Sequence, residues 1–199
     1  MIVKRAIDWL VSSVGLIVLL PLLLLIAAWI KADSRGSVFF RQERVGRHGR
    51  PFRIHKFRTM IGDGAAGGRA LTVGAAPRIT RAGSVLRRYK LDELPQLIDV
   101  WKGDMSLVGP RPEVPKYVAH YPPQIRDIVL SVPPGITDDA SIEFSNESEL
   151  LAAAADPERT YIEQILPRKL DLYVRYVRGR TLLGDMRIVL RTVRKVVTG

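Results

Sequence analysis

The chain has 199 residues, 47% of them hydrophobic and 26% charged, with no cysteine and a formal net charge of +11. That length allows one domain, or one domain with an appendage, and a core that needs no covalent staples. The lack of cysteine excludes a disulfide scaffold, a thiolate nucleophile, an iron–sulfur cluster and cysteine-ligated zinc, while the positive excess points to an anionic partner: nucleic acid, a phosphorylated substrate or anionic lipid.

From Trp9 to Ile30 there are 22 consecutive residues without a charge. A bilayer core needs about 20 apolar residues. A cleaved signal peptide fits less well, because its apolar stretch is shorter and ends in a small-residue cleavage site. Here the run passes through Ala27, Ala28, Trp29 and Ile30 directly into Lys31. Basic residues crowd its downstream flank (Lys31, Arg35, Arg41, Arg44, Arg47, Arg50, Arg53, Lys56, Arg58) against Asp33 and Glu43, which assigns that flank to the cytoplasm. Lys4 and Arg5 pull the N-terminus to the same side. Both demands are met if the segment enters and leaves through one leaflet, with a kink at Pro21. A plain spanning helix with a tolerated proline stays open.

Val38–Phe40 and Phe52–Phe57 have strand composition and are separated by a turn over Gly46–Pro51. Gly62–Gly68 reads as a surface loop; it is no P-loop, since no Gly-Lys-Ser/Thr follows. Residues 78–101 are helical in two pieces. Ile79, Ala82, Val85, Leu86 and Tyr89 share one apolar face, and Leu94, Leu97, Ile98 and Trp101 share another. Pro95 belongs in a first helical turn, so Asp92 and Glu93 lie at or near a helix start. Gly103–Pro115 is rich in turns, Pro133–Gly135 is a further breaker, and Ser148–Ala155 is a short helix stopped by Asp156-Pro157. Leu170–Val197 is one amphipathic pattern, with Leu182, Met186, Val189, Leu190, Val193 and Val197 on one face and Arg187, Arg191, Arg194 and Lys195 on the other. Such a helix suits a membrane interface or a packed core equally.

The chemistry is concentrated in Arg87-Arg88-Tyr89-Lys90-Leu91-Asp92-Glu93-Leu94-Pro95-Gln96 and in Gly103 to Glu113. Carboxylates at a helix start stay ionised. An ionised carboxylate can attack phosphorus, and its neighbour can hold Mg2+, which favours hard oxygen ligands and phosphates. Lys56, Arg58, Arg87, Arg88, Lys90 and Arg111 could neutralise a diphosphate, with Pro110 and Pro112 stiffening the chain around Arg111. Taken singly, each part has an ordinary explanation: a helix cap, a surface turn, a solvated strand face.

Together they are specific. KLDELPQLIDVWKGDMSLVGPRPE closely resembles the signature of the bacterial sugar transferases, the monotopic phosphoglycosyl transferases. The resemblance extends to the apolar segment with Pro21, to His55-Lys56-Phe57-Arg58-Thr59-Met60, to Pro77–Gly83 and to Pro134-Gly135-Ile136-Thr137. The length is similar to that of minimal members without extra spanning helices. Two departures, Ala76 in place of an acidic residue and Asp138–Ile142 in place of the usual stretch after Thr137, touch sugar specificity rather than the reaction.

The resemblance implies transfer of a sugar 1-phosphate from a UDP-sugar to undecaprenyl phosphate through an aspartyl phosphosugar, with release of UMP. Carried over residue by residue, Asp92 is the nucleophile and Glu93 the Mg2+ ligand. Lys56, Arg58 and Arg87 meet phosphates; Pro110, Arg111 and Pro112 contact the nucleotide; Thr137 lies near substrate. The expected fold is α+β and mostly helical: a re-entrant membrane helix over 1–30, then a small catalytic domain over 31–199 with interfacial amphipathic helices. The expected place is the cytoplasmic face of the bacterial inner membrane, with membrane lipids as partners and no nucleic acid. A non-enzymatic, membrane-tethered binder of anionic lipid or nucleic acid is the alternative. It accounts for the charge and the apolar segment but not for Asp92 and Glu93 amid cations. A multi-spanning transferase would need many apolar segments, and one is present.

Overall fold

The uncharged run forms most of a single helix, α1 (Ile2–Asp33), in the computed structural model, which describes residues 2–61 and 78–198. At 1.5 Å per residue its 32 residues extend about 48 Å, and it is long and apolar enough to cross a membrane. Pro21 lies inside it without dividing it: both sides remain helical. Most of its large apolar side chains, Leu10, Ile17, Leu24 and Leu25 among them, are exposed.

Two strands follow, β1 (Phe39–Val45) and β2 (Pro51–Phe57), paired antiparallel with Arg41 opposite His55 and Phe39 opposite Phe57. The turn between them is a single 3-10 turn, Arg47–Gly49, as the Gly/Pro punctuation predicts. The glycine-rich stretch over 62–68 and position 76 lie outside the described residues. Helix α2 (Arg81–Arg88) is started by Thr80, whose Oγ1 accepts from the Gly83 amide at 2.8 Å. Of its expected face Ala82 and Leu86 are buried, whereas Val85 and Tyr89 are exposed.

A 3-10 turn, Leu91–Glu93, leads into α3 (Gln96–Lys102), with Pro95 at its N-cap and Gly103 closing it at φ +97°. The sequence expectation for α3 needs correcting. Its inward face carries Gln96, Asp99 and Val100, while Leu97 packs on α1 beside Gly15 and Trp101 is exposed. The expected apolar face is thus turned to α1 and to the surface, and Gln96 and Asp99 point into the protein.

Strand β3 (Ser106–Val108) lies in the segment read as turns. Beyond it come α4 (Pro115–Val118), α5 (Pro123–Val129), β4 (Gly135–Thr137), α6 (Asp139–Glu143), α7 (Glu147–Ala152) and α8 (Pro157–Thr160), then α9 (Leu166–Gly179) and α10 (Leu182–Thr198). β3 and β4 pair in parallel, Ser106 with Gly135 and Val108 with Thr137. Three-residue strands carry too little alternation to be read from sequence. The pattern over 170–197 is two helices rather than one. Arg180 is extended, and Thr181 Oγ1 accepts from the Gly184 amide at 3.0 Å, starting α10 afresh. The apolar face of α10 is turned outward, with Met186 61% and Leu190 66% exposed and Ile188 buried, which favours an interfacial helix over a packed one; the side chain of Val197 lies outside those described.

The largest buried cluster gathers Val114, Tyr117, Tyr121, Tyr161, Leu166, Leu170 and Tyr173 from the second half of the chain. A separate one joins Ile26 and Ile30 of α1 to Phe57 and Leu86. Both ends of α1 are thereby tied to the same body. At its start, Lys4 pairs with Asp185 of α10 at 2.6 Å. Arg5 donates to the Val100 and Trp101 carbonyls at the end of α3, where the helix dipole favours a cation. Buried Asp8 accepts from Ser106 Oγ at 2.8 Å and from the Leu107 amide at 3.2 Å. At its end, Asp33 accepts from the Ala82 amide at 3.0 Å.

Candidate active site

The turn that presents Asp92 and Glu93 begins with a backbone conformation that side chains disfavour. Lys90 sits in the left-handed region at φ +55°, a conformation that costs on the order of 1 kcal/mol in a residue with a Cβ. It swings the chain sharply out of α2, so that the next turn delivers both carboxylates beneath β2. Pro95, having no N–H to satisfy, then starts α3 without loss.

Lys56, near the end of β2, bridges the two acids: its Nζ is 2.9 Å from Asp92 Oδ2 and 3.2 Å from Glu93 Oε1. Arg111 grips Glu93 from the other side through both guanidinium nitrogens, donating to Oε1 and, at 3.2 Å, to Oε2. Burial alone would raise the Glu93 pKa, but Arg111 and Lys56 outweigh it and hold the carboxyl well below the usual carboxylate range. The same pairing with Glu93 raises Arg111 against the effect of burial. Asp92 is 2% exposed, and its Oδ1 has no hydrogen-bond partner. A buried carboxylate oxygen without a protein partner is costly, and it leaves Asp92 with an oxygen free to meet a further group.

Arg111 is carried by a braced loop. The Gly109 amide donates to the Thr137 carbonyl at 3.1 Å and the Gly135 amide to the Pro110 carbonyl at 2.9 Å. The two backbones come so close that a Cβ on Gly135 would overlap the Gly109 nitrogen and oxygen. On the other side, Arg44 donates to the Pro112 carbonyl at 2.9 Å. Arg44 is half-buried, and desolvation of its guanidinium lowers its pKa, with Glu113 opposing. Glu113 in turn accepts from the Tyr161 hydroxyl at 2.5 Å. Asp138 caps α6 through Ser141; burial raises its pKa, and the Ser141 bonds and the Arg111 charge oppose.

The structure therefore brings together Lys56, Arg87, Asp92, Glu93 and Arg111, with Pro110 and Pro112 flanking the last. Burial lowers the pKa of Arg87, and the charges of Asp92 and Glu93 oppose that shift, so it lies within electrostatic reach of the acids. Two sequence candidates have other engagements. Arg58 turns to the end of α1, donating to the carbonyls of Arg35 and Ser34 at 2.7 Å each. Thr137 hydrogen-bonds Thr192 of α10 at 2.6 Å; as the Thr192 hydroxyl is also 2.9 Å from the Ile188 carbonyl, Thr137 is the donor.

Sequence reasoning missed four residues of the surroundings. Arg44 was counted only as positive charge. Gln96 is 1% exposed with neither amide atom partnered. His55 and Asp99 form a buried pair against β2. The signal for Asp99 was present, since it follows Asp92 by seven residues and so returns to the same helical face.

The bacterial sugar transferase family matches residues 1–199. A UDP-N-acetylgalactosamine-undecaprenyl-phosphate N-acetylgalactosaminephosphotransferase of Aeromonas hydrophila is 38% identical over 99% of this chain and 44% of its own length. The UDP-glucose:undecaprenyl-phosphate glucose-1-phosphate transferase of Caulobacter vibrioides is 34% identical over 98% of this chain and 70% of its own length. For the corresponding Escherichia coli protein the values are 34%, 98% and 40%. The chain spans less than half the length of the Aeromonas and Escherichia relatives. With the family matched from end to end and its acidic pair held between Lys56 and Arg111, the chain belongs to the bacterial sugar transferases.

Proposed function

We propose that this chain transfers a sugar 1-phosphate from a UDP-sugar to undecaprenyl phosphate by two displacements on Asp92, initiating glycan assembly for O-antigen, capsule, exopolysaccharide or glycoprotein. The observation that carries the reading is Asp92 itself: a buried carboxylate with one oxygen held by Lys56 and the other unpartnered, among cations suited to a diphosphate.

In the first step an Asp92 oxygen attacks the phosphorus that bears the sugar. The bond from that phosphorus to the bridging oxygen breaks, and UMP leaves with the electron pair. In the second, a phosphate oxygen of undecaprenyl phosphate attacks the same phosphorus. The bond to Asp92 breaks, restoring the carboxylate and giving the polyprenyl diphosphosugar. Lys56, Arg87 and Arg111 neutralise phosphate charge as it moves. Pro110 and Pro112 hold Arg111 toward the nucleotide at low entropic cost. Arg58 contributes by fixing α1, and Thr137 by fixing α10.

Mg2+ suits this donor set. Two hard-oxygen carboxylates, one with an open oxygen, match its habit of binding through one or two carboxylates and substrate phosphates. Glu93 would hold the ion, giving up part of its pairing with Lys56 and Arg111 to do so. When bound it supplies charge neutralisation at the departing phosphate.

A one-leaflet arrangement is supported by α1, whose first residues (Lys4, Arg5, Asp8) and last (Ile30, Asp33) contact one and the same domain, and a cytoplasmic side by the basic residues on both flanks of its apolar run. The named relatives act on different sugars, so the sugar is left to experiment. A panel of UDP-sugars with undecaprenyl phosphate is expected to release UMP for at least one member. Intact-mass measurement with that UDP-sugar alone is expected to show a phosphosugar adduct mapping to Asp92. No UMP from any member, or an adduct on another residue, would overturn the proposal.

A further inference from the structure

We infer that His55 and Asp99 form the positioning device of the site: one buried carboxylate clamps β2 to α3 and so sets the distance between Lys56 and the Asp92–Glu93 pair. The inference rests on the reaction proposed above for its kinetic consequence, but not for its geometry.

Asp99 is fully buried and uses its two oxygens on one residue. Oδ2 accepts from the His55 backbone amide at 2.8 Å, and Oδ1 accepts from the ring at Nδ1, 2.5 Å away. The far ring nitrogen, Nε2, meets Arg41 Nη1 at 2.6 Å. A guanidinium can only donate, so Nε2 accepts and the ring proton is on Nδ1, directed at Asp99. Arg41 is the cross-strand partner of His55 and also donates to the Arg53 carbonyl at 2.8 Å. Phe39 closes the pocket edge-on, with ring centroids 6.1 Å apart. The ring is thus fixed from Arg41, Asp99 and Phe39 at once.

The consequence lies one residue on. His55 precedes Lys56 in β2, and Asp99 follows Asp92 by seven residues on the inward face of the helical run that contains the acids. β2 and α3 belong to different parts of the chain, and nothing covalent sets their spacing near the site. The two bonds from Asp99 hold that spacing. A displacement of about 1 Å in a reacting constellation can cost on the order of 100-fold in rate.

Asp99→Asn replaces one acceptor oxygen by a donor, so one of the two bonds is lost at nearly constant shape. His55→Gln places its amide near the position of Nε2 and forfeits the Nδ1 bond. His55→Asn places an N–H near Nδ1 and keeps the bond to Asp99. The first readout needs no activity: reductive methylation of lysines in the full-length protein, quantified by peptide mass spectrometry with exposed Lys195 as internal reference. Lys56 is expected to label about fivefold faster in Asp99→Asn and His55→Gln, as a local loosening of about a kilocalorie implies, and near the wild-type rate in His55→Asn. The second readout is UMP release. Asp99→Asn and His55→Gln are expected to lose about tenfold or more in kcat with little change in KM for the UDP-sugar, and His55→Asn to stay within about threefold of wild type.

Wild-type Lys56 labelling in Asp99→Asn and His55→Gln proteins that melt as the wild type does would overturn the proposal. So would equal behaviour of His55→Asn and His55→Gln, because the Nδ1 bond would then carry nothing. Absence of UMP release from the wild type would instead overturn the proposed reaction, and the lysine readout would still decide this one.

Discussion

Asp92 and Asp99, seven residues apart, face the same strand: Lys56 meets the first at 2.9 Å, and the amide of its neighbour His55 meets the second at 2.8 Å. One acid is left with an open oxygen, and the other has none to spare. That contrast separates a group available for chemistry from a group that holds the frame.

Replacing Asp92 by Asn is expected to abolish the phosphosugar adduct and to lower UMP release by more than about a thousandfold, since a carboxamide is a poor nucleophile toward phosphorus. Intact-mass measurement with UDP-sugar alone checks this. An adduct of undiminished yield on the Asn variant would remove Asp92 from the nucleophile role.

Glu93 gives a prediction with a definite sign in pH. Its carboxyl pKa in the fold lies below the unfolded value of about 4.3, held down by Arg111 and Lys56 against burial. Its contribution to stability is therefore complete above that unfolded value and lost as pH falls through the lowered folded one. Glu93→Gln is expected to flatten this part of the acid-unfolding curve and to destabilise the protein at neutral pH by roughly 1–3 kcal/mol, as a charged hydrogen-bonded partner is removed. Mg2+-dependent UMP release should fall with it. An acid-unfolding profile identical to wild type would contradict the pairing.

The loop that carries Arg111 depends on backbone contact between Gly135 and Gly109. Gly135→Ala is expected to cost roughly 2–3 kcal/mol by forcing β3 and β4 apart, and to raise KM for the UDP-sugar as Arg111 shifts. Thermal melting and steady-state kinetics on the one variant test both halves; an unchanged melting temperature would mean that the strands part without cost.

Arg58 separates anchoring from phosphate binding. Its guanidinium donates to Arg35, Ser34 and Ile30 carbonyls at the end of α1. Arg58→Ala is expected to lower stability by about 1–3 kcal/mol while leaving affinity for UDP nearly unaltered. A large loss of UDP affinity at full stability would reassign it to the phosphates.

Topology is open to cysteine labelling, because the chain has no native thiol to interfere. Single cysteines at Ile2 and at Asp104 are expected to resist an impermeant maleimide in spheroplasts and to react after permeabilisation. Reaction of the Ile2 site alone from outside would mean a spanning α1.

The parts of the fold legible in the sequence are those with a repeating signal. The long apolar helix α1, the β1–β2 hairpin and α2 announce themselves by composition, alternation or spacing, and Asp92 and Glu93 by their place in a long motif. α3 was misread because hydrophobic periodicity presumes that apolar means inward. Where a helix lies between α1 and a polar site, Leu97 and Trp101 turn toward the apolar neighbour and solvent, and Asp99 and Gln96 turn to the protein. The β3–β4 pair was missed because it is held by backbone approach at two glycines rather than by side-chain alternation. The break at Arg180-Thr181 rests on one hydroxyl cap. His55 was read only as part of a family-like string, with no role of its own, since its partner lies 44 positions away.

The anchor of this protein is not a removable leash. Ile26 and Ile30 are 4% and 1% exposed because they complete the packing around Phe57 and Leu86, directly below the strand that carries Lys56. A polypeptide starting at Lys31 would lay Phe57 and Leu86 bare and deprive the end of α3 of Arg5. Trimming is therefore the wrong route to a detergent-free form of the protein. Solubility has to be engineered in place, by exchanging outward residues such as Leu10, Ile17, Leu24 and Leu25 for polar ones while every inward-facing residue of the helix is kept.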